Sequence, residues 1–163
     1  MENPKFELPI VEQESTDIKP VSFKTYRGSN ELGGTDYGFL GKGTYSHTLT
    51  SVANGYALKH GPDTPGAKVS IETVNLKKPF YWGEKGYGLS NYLNGLGKVP
   101  PLIEEILQKA GIPRFKGHAR EFGKLPGAEI ANNASEVVTN ELIKLGYDGV
   151  IAEADGGKEV VVF

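Results

Sequence analysis

Apolar and polar residues alternate along residues 21–27 (VSFKTYR), the pattern of a half-buried strand, and Gly28-Ser29 ends it. Residues 1–20 are polar apart from an alternation at Phe6, Leu8 and Ile10, and read as an arm or edge strand ahead of a single domain over 21–163. Glycine-rich residues 33–43 read as a loop. Residues 67–76 (AKVSIETVNL) predict a second strand whose alternation slips near Thr73 and which Lys77-Lys78-Pro79 closes. The period becomes helical in three places. Thr48 or Thr50 can cap a helix running through Tyr56 and Leu58, with Gly61-Pro62 as its stop. Residues 101–110 (PLIEEILQKA) predict a short amphipathic helix with proline at its start and Gly111 after it. Residues 111–131 show no period and read as loop. Residues 135–145 predict a further helix, with Val138, Leu142 and Leu145 on one face and Gly146 at its end. Finally, 149–153 and 158–163 flank Ala154-Asp155-Gly156-Gly157, a hairpin signal.

Composition narrows the classes. A chain of 163 residues can bury one core without disulfide or metal support. Its 22 glycines argue for many turns and close backbone approaches, as in a small α+β domain. The net charge of −2 supplies no basic field, so a nucleic-acid partner is not expected. With no cysteine, disulfides, thiol catalysis and cysteine-held zinc are excluded, and any nucleophile is oxygen or nitrogen. The first residues, MENPKFELPIVEQEST, contain no apolar h-region, and no later run is long enough to span a bilayer; a soluble, cytoplasmic protein is expected.

Two phosphate-binding motifs fail on spacing. A P-loop needs glycine five places before Gly41-Lys42, where Asp36 stands, and a hydroxyl where Gly43 stands. The same stretch lacks the last glycine of the dinucleotide fingerprint. His47, His60 and His118 have no helically paired carboxylates, so no metal site is expected and the histidines read as isolated polar residues.

Five ordered segments remain: Tyr26-Arg27-Gly28, Gly41-Lys42-Gly43-Thr44-Tyr45, the stretch from Ser51 to Ala57 (SVANGYA), the stretch from Leu145 to Ile151 (LGYDGVI), and Glu159-Val160-Val161-Val162-Phe163. In order and spacing they resemble the ADP-ribosyltransferase superfamily, especially its small bacterial and phage domains. The resemblance implies a split β-sandwich of two small antiparallel sheets with flanking helices, and NAD as substrate in a cleft between them. It implies that Glu159 is the catalytic glutamate, stabilising an oxocarbenium-like ribose as NAD loses nicotinamide. Arg27 is implied to anchor the dinucleotide and Tyr45 to stack on the nicotinamide ring. Gly28 would bring backbone to the carboxamide; Tyr26, Gly43, Ser51 and Tyr56 complete the implied cofactor-binding set. The combination Arg, Tyr and Glu mixes two branches of the superfamily, and Gly157, two before Glu159, removes the E-x-E signature of arginine-directed transfer. Such domains often continue for a further short segment, which the resemblance would place after Phe163.

Two functions are therefore expected to compete. One is transfer of ADP-ribose to a macromolecular acceptor, a host protein if the chain is a phage or bacterial effector, with hydrolysis of NAD as a variant. The other is a catalytically inactive module on the same scaffold, acting as a virion component or an inhibitor by contact.

Overall fold

The computed structural model describes residues 18–84, 88–112 and 128–163, which form an α+β domain. Its elements in chain order are β1 (Val21–Ser29), β2 (Tyr37–Gly38), β3 (Gly41–Lys42), β4 (Thr44–His47), α1 (Thr50–Ala57), β5 (Lys68–Leu76), β6 (Pro79–Glu84), α2 (Leu89–Leu93), α3 (Pro101–Lys109), α4 (Glu129–Lys144), β7 (Gly149–Ala154) and β8 (Gly157–Val162). Most of the arm expected over 1–20, and the loop expected over 111–131 apart from its two ends, fall outside the described residues.

Six strands join in the order β5-β1-β4-β8-β7-β6, with β2 and β3 as a separate hairpin. The expectation of two small antiparallel sheets needs correcting in two respects. All six strands hydrogen-bond into one sheet, and β6 runs parallel to β7. The sheet is nevertheless weakly joined in one place. Strand β1 pairs with β5 along all nine residues but with β4 only at Tyr26↔His47.

The sheet folds over at that seam. In the strand order β7 lies four places from β5, a separation of roughly 19 Å if the sheet were flat. Yet a Cβ on Gly149 of β7 would lie 2.7 Å from a Leu76 methyl of β5. The inner face created by this fold holds Val74, Leu76, Ile151 and Val160, with Val21, Phe23 and Val162 against them. The outer face of β7 and β8 carries Val150, Ala152 and Val161 into a larger core with Leu89, Ile103, Leu107, Ala131, Val138 and Leu142 from α2, α3 and α4. Helix α1 sits on the outer face of β1, where Ala53 and Ala57 press against Gly28; a Cβ there would stand 1.9 Å from the Ala53 carbonyl oxygen.

Several sequence expectations change for identifiable reasons. The β1–β5 register runs unbroken from Val21↔Leu76 to Ser29↔Lys68, with no bulge at Thr73. The apolar pattern slips there because Val69 and Ile71 belong to the outer face while Val74 and Leu76 enter the inner core. Pro79 does not close the chain's β structure but opens β6, whose bulge falls between Tyr81 and Gly83. Helix α4 starts at Glu129, well before Ser135, because the small side chains of Ala131 and Ala134 extend the buried stripe toward its N-terminus. Neither candidate threonine caps α1, since Leu49 occupies the N-cap without a side-chain bond. Thr48 instead extends the β4–β8 pairing past His47, its Oγ1 accepting from the Lys158 amide at 2.9 Å while its own amide donates to the Lys158 carbonyl at 3.0 Å. No helix of the described residues is long and apolar enough to cross a membrane.

Candidate functional site

Strand register decides which side chains can meet. Residues directly opposite in an antiparallel ladder project to the same face. Tyr26↔His47, His47↔Glu159 and Ala152↔Glu159 therefore form one row across the outer face, continued by Ile71 opposite Tyr26. Tyr45, opposite Val161, lies on that face two residues from His47. Glu159, Tyr45 and Tyr26 are thus brought to one side of the molecule.

Arg27 is not. Its neighbour Tyr26 faces outward, so alternation turns Arg27 to the inner side of the strand, the side of Phe23. Glu159 likewise points away from its inner-facing neighbour Val160. The expected pairing of Arg27 with Glu159 across a common crevice is therefore corrected: they project to opposite faces. Arg27 is exposed, whereas Glu159 is only 1% exposed.

Tyr45 serves the loop before it. Its hydroxyl donates to the Gly41 carbonyl at 2.7 Å and accepts from the Leu40 amide at 3.0 Å, and it fills the space a Cβ on Gly38 would need. The ring is partly buried against the large core. Burial is the main cause pushing its phenol well above the ordinary tyrosine value; the Leu40 amide acts in the opposite sense, and Glu159, Tyr56 and Asp36 add to the rise. Tyr56 belongs to α1, the helix that covers the same face at Gly28. Tyr56 is 48% exposed on α1, so of the two tyrosines it offers the more accessible ring.

The glycine-rich stretch read as a loop is clamped onto α4 and contains the β2–β3 hairpin. Thr139 of α4 accepts from the Lys42 amide at 2.7 Å and donates to the Lys42 carbonyl at 3.0 Å, while Ser135 accepts from the Gly38 amide at 3.2 Å. Gly43 donates its amide to the Asp36 carbonyl, and a Cβ there would meet the Val162 carbonyl oxygen at 2.5 Å. Its smallness is required by β8. Gly28, similarly, is required by α1. Ser51 lies exposed in the first turn of α1.

His47 was passed over as an isolated polar residue, yet it is buried in the same row as Glu159. The Leu49 amide donates to its Nδ1 at 3.0 Å, so the ring proton sits on Nε2 and donates to the Ala154 carbonyl at 2.9 Å. His47 follows Tyr45 by two places, and because 44–47 is a strand the two share a face; no sequence period announced that strand. On the inner side of the seam, the Thr25 and Ser46 hydroxyls are buried without a hydrogen-bond partner. Among the described residues no group of three or more His, Asp or Glu side chains could hold a metal ion.

A cleft of about 580 Å³ opens between β5 and the β3–β4 segment, lined among others by Lys42, Thr44, Glu72, Asn75 and Phe163. None of Arg27, Tyr45, Tyr56 and Glu159 lines it. This cleft and the clustered aromatic and acidic groups therefore lie in different places.

No protein-family model and no curated protein matches the chain. Among solved structures, one titled as the crystal structure of an anti-CRISPR protein aligns over 90% of this chain and 93% of its own, with 19% identity and a TM-score of 0.37. A likeness that shallow carries no argument about fold or activity.

Proposed function

We propose that the protein breaks the nicotinamide–ribose bond of NAD and transfers ADP-ribose to a macromolecular acceptor, on a split β-sandwich of the ADP-ribosyltransferase type. The observation that carries this reading is the placing of Glu159 and Tyr45 on one face of the sheet, the face that α1, which carries Tyr56, covers at β1. The sheet folded face to face about a single ladder pair is compatible with it. In the reaction the glycosidic electron pair leaves with the nicotinamide nitrogen, and a lone pair of the acceptor forms the new bond to ribose C1′. The acceptor's proton passes to solvent. Glu159 stabilises the positive charge that builds on the ribose before that bond forms. Tyr56 supplies the stacking surface, Tyr45 holds the hairpin that shapes the site, and Arg27, on the inner side, does not share the ribose with Glu159.

The test is incubation of the full chain with NAD labelled in the adenosine moiety, following free nicotinamide and label on host-lysate protein. Glu159→Gln is expected to lower nicotinamide release by on the order of a hundredfold or more, the cost of removing one preorganised electrostatic group. NAD binding should change only severalfold. Tyr56→Ala should raise KM more than it lowers kcat, because it removes binding surface.

A second reading draws on a specific observation. Glu159 is almost wholly buried, Gly28 is covered by α1, and the Tyr45 hydroxyl is occupied on both sides. These are features of a binding module that keeps the scaffold without turnover. Absence of both nicotinamide and label, from protein shown to be folded, decides for that module.

A further inference from the structure

We propose that β5 pairs with β5 of a second copy of the chain, antiparallel, in the register that sets Ser70 against the partner's Ser70. Strand β5 is nine residues long and ends the sheet; among the described residues nothing pairs with its outer edge. An open edge of this length is a template for another strand. The sequence along it selects which strand.

Lys68-Val69-Ser70-Ile71-Glu72 is self-complementary about Ser70. A two-fold axis through that residue places Lys68 opposite the partner's Glu72, and the same contact recurs by symmetry. Val69 falls opposite the partner's Ile71, an apolar pair on the outer face, where Ile71 is now 64% exposed. Opposed side chains in such a ladder stand about 5 Å apart at Cβ, close enough for both kinds of pair. Among the described residues neither Lys68 nor Glu72 has an ion-pair partner in its own chain.

Neighbouring registers lose this match. Centring on Ile71 sets Lys68 against the partner's Val74, and centring on Val69 sets Glu72 against the partner's Gly66. The lysine and glutamate thus guard the edge against most strands while admitting one with the reverse order of charge. One strand pair is a small contact, so the dimer forms only as concentration rises.

The experiment is sedimentation equilibrium of the full chain from roughly 1 µM to 1 mM, the range in which so small an interface associates. The mass is expected to double toward the top of that range. Lys68→Glu and Glu72→Lys should each hold the mass at one chain, and the double variant K68E/E72K should double again. Ile71→Lys, which leaves the charge pair in place, provides a second route to the same loss, and circular dichroism confirms that each variant is folded. A wild-type mass of one chain throughout overturns the proposal, as does doubling by Lys68→Glu as readily as by the wild type.

Discussion

Ile151 and Ile71 are the same residue on strands of the same sheet, yet one is 2% exposed and the other 64%. The difference lies in the two halves of the fold. Strands β7 and β8 are covered on both faces, by α2–α4 outside and by β1 and β5 inside, so their sequences run apolar without a break in VIA and VVV. Strands β1 and β5 are covered fully on one face only, and they alternate. Layer position, more than residue type, sets what each side chain contributes. The carboxylates follow the same rule, with Glu159 enclosed in the covered half and Glu72 partly open at the edge.

The largest expected effect tests this directly. Ile151→Ala should cost about 3 kcal/mol of unfolding free energy, measured in urea, because it leaves a cavity closed from both sides. Gly28→Ala, where the added methyl meets the Ala53 carbonyl and must move α1 off β1, should cost about 2 kcal/mol. Tyr45→Phe removes two hydrogen bonds and should cost about 1.5 kcal/mol at neutral pH. Its pH dependence sharpens the point. The folded phenol holds its proton more tightly than the unfolded one, so the wild type loses stability as pH rises above about 10, where the unfolded chain ionises first. Melting curves of the Phe variant should show a shallower alkaline decline.

The seam between the halves should respond with the opposite sign. Thr25→Val replaces a buried, unpartnered hydroxyl by a methyl of similar volume, and should raise stability by about 1 kcal/mol. Smallest of all, Ile71→Ala should change stability by less than about 0.5 kcal/mol in dilute protein, since the side chain already faces water. If Ile71→Ala cost as much as Ile151→Ala, the two halves would not differ in the way described.

The covered half was largely legible in the sequence because continuous apolar runs and the Asp155-Gly156 turn leave little choice of structure. Asp155 indeed takes a positive φ of 55°, and Gly156 one of 85°. Strand β1 and helix α3 were legible from period alone. Strand β6 was not, because Pro79 reads as a stop and the bulge before Gly83 interrupts its alternation. Helix α2 was missed because its five residues make barely more than one turn, although Leu89, Tyr92 and Leu93 are all buried. The order of the candidate site residues could be read from their segments, but their facing could not. Whether Arg27 or Tyr26 looks toward Glu159 depends on the parity of one cross-strand pair, and nothing within either strand fixes that parity.

Strand β6 also bears on how the chain is made. Its neighbour in the sheet is β7, which follows it only after α2, α3 and α4. A nascent chain that has emerged as far as α4 therefore presents β6 with its partner still unsynthesised. Parallel pairing over so long an interval is slow to close. When Gly149 arrives, Asp148 beside it accepts the Lys77 and Lys78 amides at 2.7 and 3.0 Å, fastening the start of the late strand to the turn that has been waiting for it.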